Sequence, residues 1–329
     1  MVQVYFATNR QKDATAPSGF GAKIVANDPP AVTYAVAEVE RTMLADESSG
    51  QIVRIDDMTP GGWSNKAIAA ILAAGKNLLV FIHGFDNSFE DAIKRAAYNA
   101  DWFRASGVAA ADTTMLAFTW PSEGKLIAAP PHFPSDAYFT DQAQAGRSSF
   151  HLGYFLDNID QLRIAYKQKN PSGRIFLLAH SMGNHALQAA VQWWFQSRSS
   201  KDIMFDETIL AAADEVDDSF EAHAGARLSN LPYLTNRISI YYSRKDVAMY
   251  LSACFNLDAR LGYDGPAHKH DTDRYRPGKF RIIDCTEVSD FALINPPDAT
   301  HQYYRRSKIV RGDIVAVLSG GGSVGLGRL

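Results

Sequence analysis

The sequence has few cysteines: only Cys254 and Cys285 occur in 329 residues. Two cysteines supply neither a disulfide framework nor the ligand spacing of a zinc site. A large excess of one charge is also absent, because the formal net charge is −3 at pH 7. That balance creates no strong field for nucleic acid or for an acidic membrane surface. We therefore expect no nucleic-acid partner, no metal site and no cofactor.

Long apolar runs are missing as well. No run approaches the roughly 18 residues of a membrane span, which predicts no integral membrane association. Residues 1–10 lack the basic segment and long apolar stretch of a signal peptide. This pattern predicts a cytoplasmic location, although a leader already removed from the chain would leave the same pattern. The oligomeric state is not encoded in any of these features.

The most informative stretch combines a short apolar run with a serine. Ile175 to Ala179 are all apolar, which favours a strand buried on both faces of a parallel sheet. From Asn184 onward the apolar residues recur at helical spacing. Between them stands Ala179-His180-Ser181-Met182-Gly183, which places a serine on a sharp turn between strand and helix. This is the context of the nucleophile elbow of α/β-hydrolases, with alanine in place of the first glycine.

Strands alternate with helical stretches from residue 78 to residue 285, which predicts a mostly parallel central sheet with helices on both faces. Together with the elbow, this pattern predicts the α/β-hydrolase fold in a single domain over residues 1–319. The glycine-rich segment 320–329 is expected to be a disordered tail. Further expectations are loops over 8–30, 124–134 and 251–278, helices over 65–74, 222–230 and 302–312, and a small strand over 314–318.

A serine hydroxyl needs a general base, and the base needs an orienting carboxylate. In α/β-hydrolases these groups follow the serine in the order acid, then histidine. Asp246 follows a predicted strand and His301 lies beyond the strand predicted over 281–285, so we predict the triad Ser181, Asp246 and His301. Asp214 or Asp217, one strand earlier, is the alternative acid.

Other histidines have simpler interpretations. His268 and His270 lie in a polar loop with nearby aspartates. They precede the strand predicted over 281–285, whereas the triad histidine is expected after it. A metal site is conceivable there, but a solvated loop is the favoured interpretation. His180 is expected to point away from the tip of the elbow, and His185 is expected to be a packed or capping residue of the following helix.

Acyl transfer also requires donors for an oxyanion. The residue after the nucleophile, Met182, is expected to give one backbone N–H group. Phe85, after the apolar strand that ends at His83-Gly84, is the candidate for the second. The possible pocket residues in the same regions are His83, Gly84, Trp120 and His180. The side chain of His83 is expected to have a structural role.

Six stretches, taken in order, resemble a family of bacterial α/β-hydrolases catalogued as an esterase/lipase-like domain of unknown function. The resemblance runs from about residue 2 to residue 305, and it implies the hydrolase fold, Asp246 as the acid and His301 as the base. The resemblance does not indicate which substrate the protein uses. The stretches are Val4-Tyr-Phe-Ala-Thr-Asn-Arg10, Phe81-Ile-His-Gly-Phe85, Phe118-Thr-Trp-Pro-Ser122, Leu178-Ala-His-Ser-Met-Gly-Asn184, Tyr241-Tyr-Ser-Arg-Lys-Asp246 and His301-Gln-Tyr-Tyr304.

Together these features predict a serine hydrolase that cleaves a small-molecule carboxylic ester through an acyl-enzyme. A thioesterase, a lactonase and an amidase share the same triad and remain alternatives. A non-catalytic relative that only binds its ligand is a further alternative from a different class, and loss of a triad member would favour it.

Overall fold

The structure is a computed structural model. It describes residues 1–25, 32–41, 47, 49–58, 70–71, 73–105, 112–122, 135–197, 202–221, 227–291 and 300–329. The chain folds into two compact units, Met1–Ile175 and Phe176–Leu329. The prediction of a single domain over residues 1–319 stays a prediction.

The first unit contains a sheet of five strands in the order β5-β4-β1-β7-β6. Strands β1, β7 and β6 are parallel, whereas β4 and β5 add on as antiparallel neighbours. All residues of β6 and β7 are buried, as expected for strands covered on both faces. The strands are β1 (Val2–Thr8), β4 (Thr33–Glu40), β5 (Gln51–Asp57), β6 (Asn77–Ile82) and β7 (Thr113–Thr119).

A small hairpin and two long helices also belong to this unit. The hairpin consists of β2 (Arg10–Lys12) and β3 (Phe20–Ile24), within the segment expected to be a loop. Helix α1 (Phe89–Ala105) begins after Ser88, whose Oγ accepts a hydrogen bond from the Asp91 backbone N–H at 3.1 Å, a typical N-terminal cap. Helix α2 (Ser135–Lys169) is the longest element.

The second unit contains five parallel strands in the order β8-β9-β10-β11-β12. The elbow strand β8 is buried along its whole length, and so is β11. The carboxyl ends of parallel strands meet at one edge of a sheet, where sites of α/β proteins form. The strands are β8 (Ile175–His180), β9 (Phe205–Ala211), β10 (Thr235–Tyr242), β11 (Phe280–Asp284) and β12 (Gly325–Arg328).

Helices connect these strands. They are α3 (Gly183–Ser197), α4 (Leu231–Leu234), α5 (Val247–Asn256), α6 (Leu261–Asp264), α7 (Tyr303–Arg306) and α8 (Lys308–Leu318). The expected loop over 251–278 therefore contains the end of α5 and the whole of α6. The expected strand over 314–318 is wrong, because these residues end α8. The Ser307 hydroxyl caps that helix by accepting from the Val310 N–H at 3.0 Å, and Val310, Ile314 and Val317 are buried at helical spacing.

The glycine-rich C-terminal segment contains a strand instead of the expected disordered tail. Residues of β12 pair with β11 in parallel register, from Arg281 opposite Gly325 to Asp284 opposite Arg328. The buried Arg281 also donates from Nε to the Ser323 carbonyl. The glycines permit this path, because Gly325 has φ +70° and a Cβ at Gly322, φ +91°, would lie 3.0 Å from the Arg281 guanidinium carbon.

Three of the expected elements cannot be compared in full. The loop over 124–134 lies outside the described residues, as does most of the helix expected over 65–74. Part of the helix expected over 222–230 also lies outside them. Among the helices within the described ranges, none combines the length and apolarity needed to cross a membrane.

Candidate active site

Ser181 lies at the turn between β8 and α3, at the carboxyl end of the strand. Its φ is +54°, in the left-handed region that residues with a side chain rarely adopt. The backbone holds this strained conformation from both sides. The Ser181 N–H donates to the Ala211 carbonyl at 3.0 Å, and the Ser181 carbonyl accepts from the Asp214 N–H at 3.2 Å. Strain of this kind costs about 1–3 kcal/mol and is typical of a nucleophile elbow.

Asp246 and His301 form a buried pair in the same unit. The distance from His301 Nδ1 to Asp246 Oδ2 is 2.8 Å, and Asp246 has no exposed surface. The carboxylate accepts a hydrogen bond from Nδ1–H, which leaves the lone pair of a neutral ring on Nε2. The other carboxylate oxygen accepts from the Met249 N–H at 3.0 Å, so Asp246 is also the N-terminal cap of α5. Two bonds therefore fix the orientation of this carboxylate.

Asp214, the alternative acid, has different partners. Its Oδ1 accepts from the Ser252 hydroxyl at 2.5 Å and lies 3.6 Å from Arg260 Nε. All three side chains are almost fully buried. This cluster connects the loop after β9, which bonds the Ser181 backbone, to helix α5. The other alternative, Asp217, is partly buried, and this burial, together with the charge of Asp218, raises the pKa of its carboxyl group.

Three other histidines of this unit, His180, His185 and His268, have contacts of their own. The ring of His180 lies 4.7 Å from that of His301 and 4.6 Å from that of Tyr304, and its Nε2 is 3.4 Å from the His301 carbonyl oxygen. These contacts bring the segment that carries His301 against the residue before Ser181. His185 Nδ1 is 3.4 Å from Glu215. His268 Nδ1 lies 2.8 Å from Glu221 Oε1.

In the first unit, the loop after β6 is held by hydrogen bonds to its carbonyl groups. Asn87 Nδ2 donates to the carbonyls of Gly84 and Phe85 at 2.9 and 2.7 Å. The Asn87 carbonyl accepts from Arg10 Nη2 at 2.8 Å, and its N–H donates to the Ser122 carbonyl at 3.1 Å. These hydrogen bonds to the carbonyl groups of the loop fix the path of the backbone through Phe85. Phe85 is the predicted second oxyanion donor.

The side chain of His83 forms part of the support of this loop. Its ring stacks on that of Trp120, with centroids 5.2 Å apart and planes 4° from parallel. The Trp120 N–H donates to Nε2 at 3.1 Å, so Nδ1 carries the proton and donates to the Gly84 carbonyl at 2.9 Å. Burial, with a smaller contribution from Arg10, lowers the pKa of His83 to about 3, so the ring is neutral at pH 7. Trp120 has no exposed surface.

Met182 follows Ser181 and immediately precedes α3, which begins at Gly183. Backbone N–H groups at the start of a helix lack partners within the helix, and the helix dipole favours negative charge there. Acyl transfer to a serine requires a nucleophilic serine, a histidine oriented by a carboxylate, and a backbone N–H donor of the kind that Met182 offers.

The chain matches the family described as "Alpha/beta hydrolase of unknown function (DUF900)" over residues 64–315. It therefore belongs to this family of alpha/beta hydrolases. The match confirms the resemblance inferred from the six sequence motifs and the predicted fold class. Among curated proteins, no sequence matches the chain.

Solved structures with some similarity to the chain include a cutinase-like protein and an esterase. A cutinase-like protein from Cryptococcus sp. is 11% identical, with a TM-score of 0.36, over 76% of this chain and 98% of that one. A gene product from Listeria innocua is 9% identical, with a TM-score of 0.41, over 77% and 98%. Esterase B from Lactobacillus rhamnosis is 9% identical, with a TM-score of 0.37, over 96% and 88%.

Several supporting residues were not found from the sequence. The partners of Asp214, which are Ser252 and Arg260, lie 38 and 46 positions further along the chain. Arg10 belongs to the first of the six motifs, yet nothing in its spacing indicates that it holds the loop after β6. Tyr304 likewise belongs to the last motif, whereas its packing on His180 depends on the folded chain.

Proposed function

We propose that this alpha/beta hydrolase is a serine hydrolase that cleaves carboxylic esters through an acyl-enzyme. The observation that carries the proposal is the 2.8 Å pair of His301 and Asp246, in the unit that also holds Ser181 at φ +54°. Asp214, the rival acid, contacts Ser252 and Arg260 instead. The order of these residues along the chain is that of α/β-hydrolases.

In the proposed first step, Ser181 Oγ attacks the ester carbonyl carbon and His301 Nε2 accepts the hydroxyl proton. Asp246 keeps the ring in the tautomer with the proton on Nδ1 and stabilises the imidazolium that forms. The negative charge that develops on the carbonyl oxygen is stabilised by the Met182 N–H and, in our proposal, by the Phe85 N–H. His301 then gives its proton to the leaving alcohol as the carbon–oxygen bond breaks.

In the second step, water attacks the acyl-enzyme. His301 takes a proton from this water and returns it to Ser181 Oγ as the acid product leaves. The proposed substrate is a small-molecule ester, and no cofactor is required for either step. The residues predicted for the pocket are His83, Gly84, Trp120 and His180, and of these Trp120 has no exposed surface, so we propose that it supports the wall from behind. Of these, His83 acts through its hydrogen bonds to the Gly84 and Trp120 backbone.

The test is the intact mass of the protein after exposure to a fluorophosphonate probe, with the Ser181→Ala variant alongside. We expect one adduct on the parent chain and none on the variant, and we expect the variant to keep the thermal unfolding of the parent. Turnover of a p-nitrophenyl ester should fall to background in the variant. Retained turnover by a folded Ser181→Ala variant would exclude Ser181 as the nucleophile.

A panel of matched substrates then shows which type of bond the protein cleaves most efficiently. Ester, thioester, lactone and amide substrates with the same acyl group are compared by their kcat/KM values. The proposal expects the highest value for the open-chain ester. A higher value for one of the other three would keep the triad and change the substrate class.

A further inference from the structure

A cavity of about 440 Å³ lies within the second unit. Pro232 and Tyr233 line it from α4, the short helix that precedes β10, while Lys279 and Phe280 line it at the start of β11. Since the strands of this unit are parallel, their starts and their carboxyl ends lie at opposite edges of the sheet. The cavity therefore lies at the edge opposite to that of Ser181.

Aromatic rings form much of the wall. Phe220, Tyr275 and Phe280 pack edge to face, with centroids 5.2 to 6.3 Å apart. Tyr233 also lines the cavity and is 60% exposed, so its ring stands at the rim. Rings in this arrangement present both faces and edges to a ligand that carries an aromatic ring of its own.

The cavity also carries an excess of positive charge. Arg274, Arg276 and Lys279 line it, against one carboxylate, Asp273. Arg274 is neutralised by an ion pair with Glu221. Across the part of the chain that the structure describes, no ion pair includes Arg276 or Lys279. These two cations therefore remain available to an anion.

The wall contains a partly buried ammonium group and a buried hydroxyl group. Lys279 is partly buried, its Nζ donates to the Thr235 carbonyl, and burial lowers the pKa of its ammonium group. Tyr275 is 3% exposed, and its hydroxyl has no hydrogen-bond partner among the described residues. Buried polar groups are normally hydrogen-bonded, so an unpaired one requires an explanation.

We propose that this cavity is a second binding site, separate from the catalytic residues, for a small organic anion that carries an aromatic ring. The anionic group binds Arg276 and Lys279, and the ring packs among Phe220, Tyr233 and Phe280. This inference does not depend on the proposed ester hydrolysis, because it uses none of the triad residues.

The probe is naphthoate, titrated calorimetrically into the full-length protein, with the neutral alcohol naphthylmethanol as its matched control. Naphthoate bound near Ser181 is distinguished by the variants below, which change only residues of the cavity. We expect one naphthoate site, an affinity at least tenfold lower for the alcohol, and weaker binding at higher salt, since a charge-assisted contact is lost or screened in each case.

Variants identify the site. Arg276→Gln should weaken naphthoate binding about tenfold. Asp273→Asn should strengthen it several-fold, because it removes the one carboxylate found among the described lining residues. Both residues are exposed, so the fold should survive. Lys308→Gln, an exposed lysine outside the cavity, is the control and should bind as the parent does. No binding to the parent chain, or equal affinity in Arg276→Gln and the parent, would overturn the proposal.

Discussion

Replacing Asp246 by asparagine should separate catalysis from stability. Asparagine retains an oxygen that accepts from the Met249 N–H, and it caps helices as well as aspartate does. Its NH₂ group then faces His301 Nδ1, where the carboxylate oxygen lies at 2.8 Å in the parent chain. Two donors cannot share that contact, so the ring moves its proton to Nε2 and no longer acts as a base. In the serine-protease triad this substitution lowers kcat by about 10⁴-fold.

We therefore expect kcat for a p-nitrophenyl ester to fall by about 10⁴-fold in Asp246→Asn, which corresponds to about 5.5 kcal/mol of transition-state stabilisation. The free energy of unfolding, measured by urea denaturation, should change by about 1 kcal/mol or less, because the cap remains and only its charge is lost. Both quantities are measured on the same preparation.

Asp214→Asn is the matched comparison. This substitution removes the carboxylate beside the buried Arg260, so the free energy of unfolding should fall by about 3 kcal/mol. At a temperature where the variant is folded, its kcat should stay far above that of Asp246→Asn. A loss of about 10⁴-fold in Asp214→Asn, with kcat retained in Asp246→Asn, would refute the assignment and move the acid one strand earlier.

Three further predictions concern the support of the site and the C-terminal segment. Arg10→Lys should lower the free energy of unfolding, measured by urea denaturation, by about 2 kcal/mol. The reason is the loss of a buried guanidinium group that donates to several carbonyl groups. Lys12→Arg, on the surface, is the control and should have no effect. The pKa of His83 lies at about 3 in the folded chain, below its value in the unfolded chain. The contribution of His83 to the free energy of unfolding is therefore complete above about pH 6.5. As the pH falls toward 3, this contribution should decline by up to about 1.4 kcal/mol per pH unit. His83→Gln should remove that part of the pH dependence, and an identical slope would contradict the assigned protonation. Deleting residues 320–329 should lower the free energy of unfolding by about 2 kcal/mol through loss of the Arg281 contacts and the β12 pairing, whereas a disordered tail predicts no change.

Much of the fold could be predicted from the sequence because its signals are local. An apolar run of strand length followed by helical periodicity fixes the strand, the turn and the helix around Ser181 within about 20 residues. The alternation of such units predicts a parallel sheet, and the family match confirms the α/β-hydrolase fold. Local signals fail where length and composition mislead. The segment 314–318 reads as a strand in isolation, but it continues a helix capped at Ser307.

Only the tertiary structure decided which charged groups meet. Asp214 and Asp246 both follow strands, so the sequence by itself predicted two acids at the same edge of the sheet and favoured Asp246, without indicating the partners of either. Packing brings His301 to Asp246, 55 positions away, and brings Ser252 and Arg260 to Asp214. The glycine-rich end likewise becomes a strand through its neighbour β11. Hydrophobic periodicity is a property of residues that are close in sequence, so it can be recognised before folding. A hydrogen bond between residues that are distant in sequence forms only when the chain packs.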